Sequence, residues 1–495
     1  MNHLKGQLKA SGVLDALNET VKKGREKVHR KKESLTQKLV DSGVSIPLVD
    51  LEIQFIGANG LPKMDVVGSA DPYFVAKLDD RITFVSNVIK NTLSPVWNEV
   101  WRVKNVPSTA SLRVEVWDKD EGSATDDYIG KSLTSVTAGA KELEIEAPSI
   151  ALRKSRGTFW LKVESTPSTM RQQQEFQYLF DGPIRFTRHF SPTVGLFTAS
   201  STVRAIGETP SEPVHDPRLY STWKIHIKGV PLFFRDVHQP WNRDYPAAQK
   251  IFGQGPTSLA VRGTVQAGHS MLYARFADNG SGILDTRNKD NPEIEEPISL
   301  KEVLHAGGSA NERIKPAVYT YIISSIDDTL RFSETGAAFF VDFASKHALH
   351  ANCAPQVRYS GEFHPRPVGG WDNFTDSISD DQVDWELVVD NNSGTYAPDK
   401  MVLPTVQECL ESNFGCGLPS VDPARRGFRV VVYDREDPRL VESREACREY
   451  AVRVRGVRRE ELQPYVQEGE VPLSATVASG AEQQFSQGGF HGSSS

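Results

Sequence analysis

The chain has 495 residues, with 38% hydrophobic and 24% charged side chains and a formal net charge of -7. That is enough chain for roughly two to four domains, and its mild acidity excludes a protein held to nucleic acid by an overall basic field. No apolar run approaches the ~20 residues that cross a bilayer, and MNHLKGQLKA has neither an apolar leader core nor a glycine at position 2, so a cytoplasmic chain is expected.

In chain order, residues 1–46 come first. Their first forty carry ten Lys or Arg against four acids, with Leu14, Leu17, Val21, Val28, Leu35 and Leu39 at spacings of three, four or seven. This pattern predicts a basic, weakly amphipathic helical extension, either solvated or lying on an anionic membrane surface. From 47 to 165 the period changes to two. Runs such as LVDLEIQFIGA, PYFVAKL, SLRVEVWD and GTFWLKVES alternate apolar with polar residues, and Gly, Pro, Asn and Asp punctuate them, which predicts an antiparallel β-sandwich of seven or eight strands.

STPSTMRQQQ falls in an expected linker, 166–177. Residues 178–464 mix strand-like runs (TWKIHIKGV, SLAVRGTVQ, AVYTYIISS, AAFFVDF, VDWELVV, FRVVVYD) with helical candidates near 299–306, 401–413 and 440–451. The expectation is a larger α+β domain, with 178–255 as a subdomain. Residues 465–495 are rich in Gly, Ser and Gln and are expected to be disordered. Cys353, Cys409, Cys416 and Cys447 form no CxxC pair, which fits reduced thiols in a long intracellular chain.

The sandwich carries two acidic loops. KMDVVGSADPY places Asp65 and Asp71 around Gly68, and VWDKDEGSATDDYIG holds Asp118, Asp120, Asp126 and Asp127. Loops gather at one end of a sandwich, where so many carboxylates repel unless a hard divalent cation takes their oxygens. LPKMDVVGSADPY, KNTLSPVWNE and the stretch from Val116 to Gly130 together resemble a C2 domain. The resemblance implies Ca2+ bound by Asp65, Asp71, Asp118, Asp120 and Asp127, with Asp126 as the alternative to Asp127. It also implies Val66 and Val67 at the tip of a loop that enters the membrane. The function expected is calcium-dependent binding to anionic phospholipid, a peripheral protein that carries the α+β domain to the membrane. Trp97, Trp101 and Trp117 are expected in the core rather than in lipid.

The α+β region offers SKHALHANCAPQVRYSGEFHPRP and VDNNSGTYAPD. His347, Gly361, Ser393, Gly394, Tyr396 and Pro398 in this order resemble a module of plant IQ-motif calmodulin-binding proteins, and Thr395 stands where that module has a second histidine. The alternative function is a membrane-recruited enzyme with His347, Glu362, His364, Ser393 and Tyr396 as candidate catalytic residues, though no established catalytic motif is present. A scaffold role is the third reading. Weaker signals are a zinc set of His347, His350, Cys353 and His364, a nucleophile at Ser270 in AGHSM, and a self-cleavage site at Ser309 in HAGGSAN. The run DNNSG at 390–394 also has the composition of a tight turn.

Overall fold

The structure is a computed structural model that describes residues 46–64, 69–119, 126–147, 155–168, 176–190, 221–273, 280–284, 300–305, 313–335, 345–415 and 427–457. The basic extension before residue 46, the run AAFFVDF, Ser309 and the tail 465–495 lie outside them. Among the described residues no helix is long and apolar enough to cross a membrane.

The first body is a nine-stranded antiparallel sheet folded on itself. Its strands are β1 (Leu48–Asn59), β2 (Pro72–Leu78), β3 (Ile82–Val85), β4 (Val96–Pro107), β5 (Ser111–Asp118), β6 (Asp127–Ser135), β7 (Gly139–Glu146), β8 (Ser155–Pro167) and β9 (Leu179–Gly182), in the order β3-β2-β5-β6-β7-β8-β1-β4-β9. The alternation seen in sequence becomes alternate burial, cleanest along β5. The sheet doubles over between β6 and β7, which meet at Lys131 and Glu146. Gly130 permits this close approach, since a Cβ there would lie 2.4 Å from the Glu146 carbonyl oxygen. Phe55 of one layer stands 4.6 Å from Phe74 of the other, and Phe74 stands 5.3 Å from Phe159. Trp97 and Trp101 are buried in this aromatic core, as expected, while half-buried Trp117 stacks edge-on against Tyr128.

The ninth strand departs from expectation. The sequence reading opens the second domain at 178, yet β9 pairs with β4 through Val103 and Phe180 and through Lys104 and Leu179. Without β9, β4 would present a row of unpaired backbone groups at the sheet edge. The segment therefore completes the sandwich before the chain leaves it.

The second body is an α+β unit around a sheet ordered β13-β10-β11-β15-β14-β17-β18-β19. The strands are β10 (Arg185–Phe190), β11 (Ser221–His226), β13 (Ser281–Ile283), β14 (Tyr319–Ile323), β15 (Thr329–Glu334), β17 (Tyr359–Pro367), β18 (Trp385–Asp390) and β19 (Arg429–Tyr433); β12 (Gln239–Pro240) and β16 (Gln356–Val357) form a separate pair. Only β18 and β19 run parallel among these pairings. One face carries a large apolar core, including Trp223, Phe332, Phe363 and Trp385, and receives Val406 and Leu410 of the helix Leu403–Phe414. The helices Pro246–Phe252, Pro256–Leu272 and Lys346–His350 form smaller clusters of their own.

The helix Pro256–Leu272 corrects the strand read from SLAVRGTVQ. Leu259, Val261 and Val265 alternate in sequence, but the buried positions are Ser258, Val265, Gly268 and Leu272, a stripe with helical spacing. Ser270 is exposed on this helix and sits on no strand-to-helix turn, so the nucleophile-elbow reading fails.

Candidate functional site

Asp71, just before β2, lies at the same end of the sandwich as Asp118 and Asp127, at the facing ends of β5 and β6. Asp118 ends β5 directly opposite Asp127, which opens β6. The Asp71 amide donates to Asp118 Oδ1 at 2.6 Å, and the Lys119 amide donates to the Asp71 carbonyl at 3.0 Å. Asp71 Oδ1 in turn accepts the Asn91 amide at 2.6 Å, and Asn91 Oδ1 accepts the Ser69 amide at 3.0 Å. Asn91 holds a φ of 54°, a left-handed conformation that Asn tolerates better than most residues. The KNTLSP segment thus clamps the acidic loop from the side.

Asp126 and Asp127 separate clearly. Asp126 accepts the Tyr73 hydroxyl at 2.8 Å and pairs with Lys119 Nζ at 2.7 Å, so its carboxylate is committed to the sandwich. Asp127 is exposed, on the side facing Asp118. Asp65, Asp120, Val66 and Val67 lie outside the described residues. Among the described residues no group of three or more His, Cys, Asp or Glu is disposed to hold a metal. Carboxylate oxygens alone, with no Cys or His among them, fit a hard cation better than zinc.

The second sheet holds a polar layer that the sequence reading did not find. Strand register lines up His189, Thr222, Ser333, Thr320 and Glu362 across five neighbouring strands, and all are buried. Above this row sits the helix Lys346–His350. His350 Nε2 is 2.9 Å from Ser333 Oγ and its Nδ1 is 2.8 Å from the Tyr273 hydroxyl. His347 Nε2 lies 3.0 Å from the Gly361 carbonyl, and Thr320 and Thr335 share a hydroxyl bond at 2.9 Å. Burial holds His347 and His350 below the ordinary histidine range, with Arg331 adding to the effect at His350. Lys346 is drawn down to about 7 by burial, opposed by Glu334 and Glu362, and donates to the Thr335 carbonyl at 2.6 Å.

The candidate catalytic residues fall in or beside this layer. Glu362 pairs with Arg444 at 2.7 Å and accepts Asn392 Nδ2 at 2.8 Å, while His364 Nε2 lies 2.8 Å from Ser443 Oγ. Arg444 also pairs with Asp390, whose Oδ1 accepts the Glu362 amide at 3.0 Å. His347, Glu362 and His364 are only 8%, 5% and 0% exposed. They share one buried layer rather than an open pocket. Ser393 Oγ accepts the Tyr396 amide at 3.3 Å and the Tyr396 hydroxyl donates to the Ala354 carbonyl at 2.8 Å, as expected of a turn. Thr395 bonds Ser345 at the start of the His347 helix. The four proposed zinc ligands do not converge: the three imidazoles go to Gly361, to Ser333 with Tyr273, and to Ser443, and Cys353 is a buried thiol pushed up to about 11.

The family model for the C2 domain matches residues 49–148. These residues are a C2 domain. Among curated relatives, a calcium-dependent lipid-binding protein of Arabidopsis thaliana is 31% identical over 140 residues, 24% of this chain and 27% of the relative. Extended synaptotagmin-2-B of Xenopus laevis is 33% identical over 127 residues, 24% of this chain and 14% of the relative. Among solved structures, a C2 domain of a plant extended synaptotagmin 1 is 25% identical, covering 25% of this chain and 98% of that one with a TM-score of 0.23. The chain thus spans about a quarter or less of the length of these curated relatives. Within the C2 domain the acidic end is legible from sequence, whereas the clamp by Asn91 is not, because nothing in KNTLSP marks an amide aimed at Asp71.

Proposed function

We propose that the protein binds membranes of anionic phospholipid through its C2 domain when calcium is bound, and that this brings the α+β unit to the membrane. The observation that carries the reading is the placement of Asp71, Asp118 and Asp127 at one sandwich end, with Asp126 set aside by Tyr73 and Lys119. The relatives' names, a calcium-dependent lipid-binding protein and extended synaptotagmin-2-B, support it. Asp65 and Asp120 would complete the donor set. A bound calcium ion supplies positive charge that lets phosphate oxygens approach an otherwise acidic surface. Val66 and Val67, which follow Asp65 in the sequence, would on this reading enter the bilayer; burying each valine fully contributes about 1.5–3 kcal/mol. On this reading the protein resides in the cytoplasm and meets membranes peripherally.

Sedimentation with phosphatidylserine vesicles tests this. Binding is expected with calcium, little with chelator, and none in an Asp118→Asn/Asp120→Asn variant. Binding that ignores calcium, or survives that variant, would sink the switch. The buried layer of the α+β unit is read as structural, because its imidazoles and Glu362 are spent on partners within the protein.

A further inference from the structure

The second body touches the C2 domain close to the acidic end. Arg185, the first residue of β10, pairs with Glu99 at 2.5 Å, and the two side chains are 13% and 11% exposed. The same guanidinium lies 3.3 Å from Asn87 Oδ1 and 4.4 Å from the centre of the Phe84 ring. Ser281, on β13, donates to Asn87 Oδ1 at 2.9 Å. Glu99 closes the circle by accepting the Asn87 amide at 2.7 Å, and Trp97 Nε1 donates to the Asn87 carbonyl at 3.1 Å. Asn87 is therefore gripped from both bodies.

Four residues further along is Asn91, whose amide sits on Asp71. The intervening chain has little slack, since the Ile89 amide donates to the Pro72 carbonyl at 3.0 Å and the Thr92 amide to the Ala70 carbonyl at 2.8 Å. Asn87 lies two residues before the first of these ties, so the grip on Asn87 sets how the chain enters the segment that carries Asn91. We propose that Arg185 and Ser281 are positioning residues for the calcium end of the C2 domain: by fixing Asn87 they fix the course of residues 87–91 and so the carboxylate of Asp71. The inference rests on the calcium reading above. Its physical content is preorganisation: a carboxylate held before the ion arrives loses less freedom when the ion binds. Linkage makes the effect reciprocal, so calcium in turn tightens the contact between the two bodies.

The test is calorimetric titration of the full chain with calcium, alongside amide exchange of β10 and β13. Arg185→Gln is expected to weaken calcium about fivefold or more, Ser281→Ala less but in the same direction, and Arg185→Lys is expected to restore part of the loss. Calcium is expected to slow exchange at Thr187 and Arg188 in the wild type. Phe180→Leu is the control, because it loosens the contact between the bodies by removing the ring that packs on His226, without touching Asn87. Should Arg185→Gln fail to fold, Ser281→Ala, which removes one hydroxyl, still decides. Calcium affinity unchanged within twofold in the variants, with the wild type binding normally, overturns this inference alone. An equal loss in Phe180→Leu also overturns it, because general loosening then suffices. A wild type that binds no calcium removes the calcium reading and this inference together.

Discussion

Asp126 and Asp127 adjoin in sequence and differ in everything that matters to a cation. The Asp126 carboxylate already accepts the Tyr73 hydroxyl and pairs with Lys119, whereas Asp127 stands exposed opposite Asp118. Asp127→Asn is therefore expected to lose most calcium affinity by calorimetry while melting almost as the wild type does. Asp126→Asn should behave in reverse: calcium affinity within a few fold of wild type, and stability lower by about 1 kcal/mol from the weakened hydroxyl and ammonium contacts. A second residue-scale prediction concerns Gly361. A Cβ there would meet the Asp390 carbonyl oxygen at 2.0 Å, and that atom belongs to the backbone of the adjacent strand and cannot swing aside. Gly361→Ala is expected to cost about 1–3 kcal/mol or more by urea unfolding, with the loss confined to the α+β unit. The glycine stands out in the sequence as a motif position, but the reason for it, the close approach of β17 to Asp390, needs the register of two strands.

Among elements, the strands of the sandwich can be read directly because one face is buried and the other wet, so hydrophobicity reports orientation residue by residue. In the second sheet both faces are buried, β14 completely so, and the alternation that would have marked a polar row is hidden within runs such as AVYTYIISS. The row from His189 to Glu362 depends on pairings between residues far apart in sequence, and no local pattern announces it. The helix Pro256–Leu272 misleads for the opposite reason, offering a period of two that its packing does not use. At the edge of this layer Asp390 is pushed up to about 6, chiefly by burial and further by Glu362, with Arg444 pulling it down. A folded value above the ordinary 3.8 means that its contribution to stability is fully present below about 3.8 and is lost as pH rises through about 6. Arg444→Met leaves Asp390 and Glu362 buried without their counter-charge, a loss on the order of 3–5 kcal/mol when both are ionised. Urea unfolding is expected to show most of that loss at pH 8 and a smaller one at pH 5, where Asp390 is largely protonated. A loss independent of pH would mean that Arg444 serves through packing alone.

At the scale of the whole molecule, the boundary of the C2 domain matters most, because β9 belongs to the sandwich by hydrogen bonding and to the second body by continuity of chain. Its Leu179 is 2% exposed and pairs opposite Lys104; Lys104 also forms an ion pair with Asp181 at 2.9 Å. The Tyr178 hydroxyl donates to Asp79 at 2.8 Å, and burial together with that bond raises the Tyr178 phenol far above its usual range. Removing β9 forfeits about 1.5–3 kcal/mol for Leu179 alone and bares the edge of β4 to other chains. A fragment of residues 46–168 is therefore expected to melt several degrees below a fragment of residues 46–184, and to associate as its concentration rises while the longer fragment stays monomeric. Calcium titration of the two separates stability from function. Neither fragment contains Arg185 or Ser281, so if those residues position Asp71, both fragments should bind calcium equally and more weakly than the full chain. Full-chain affinity in the longer fragment would place the whole of calcium recognition within the sandwich, and the second body would then be cargo rather than part of the switch.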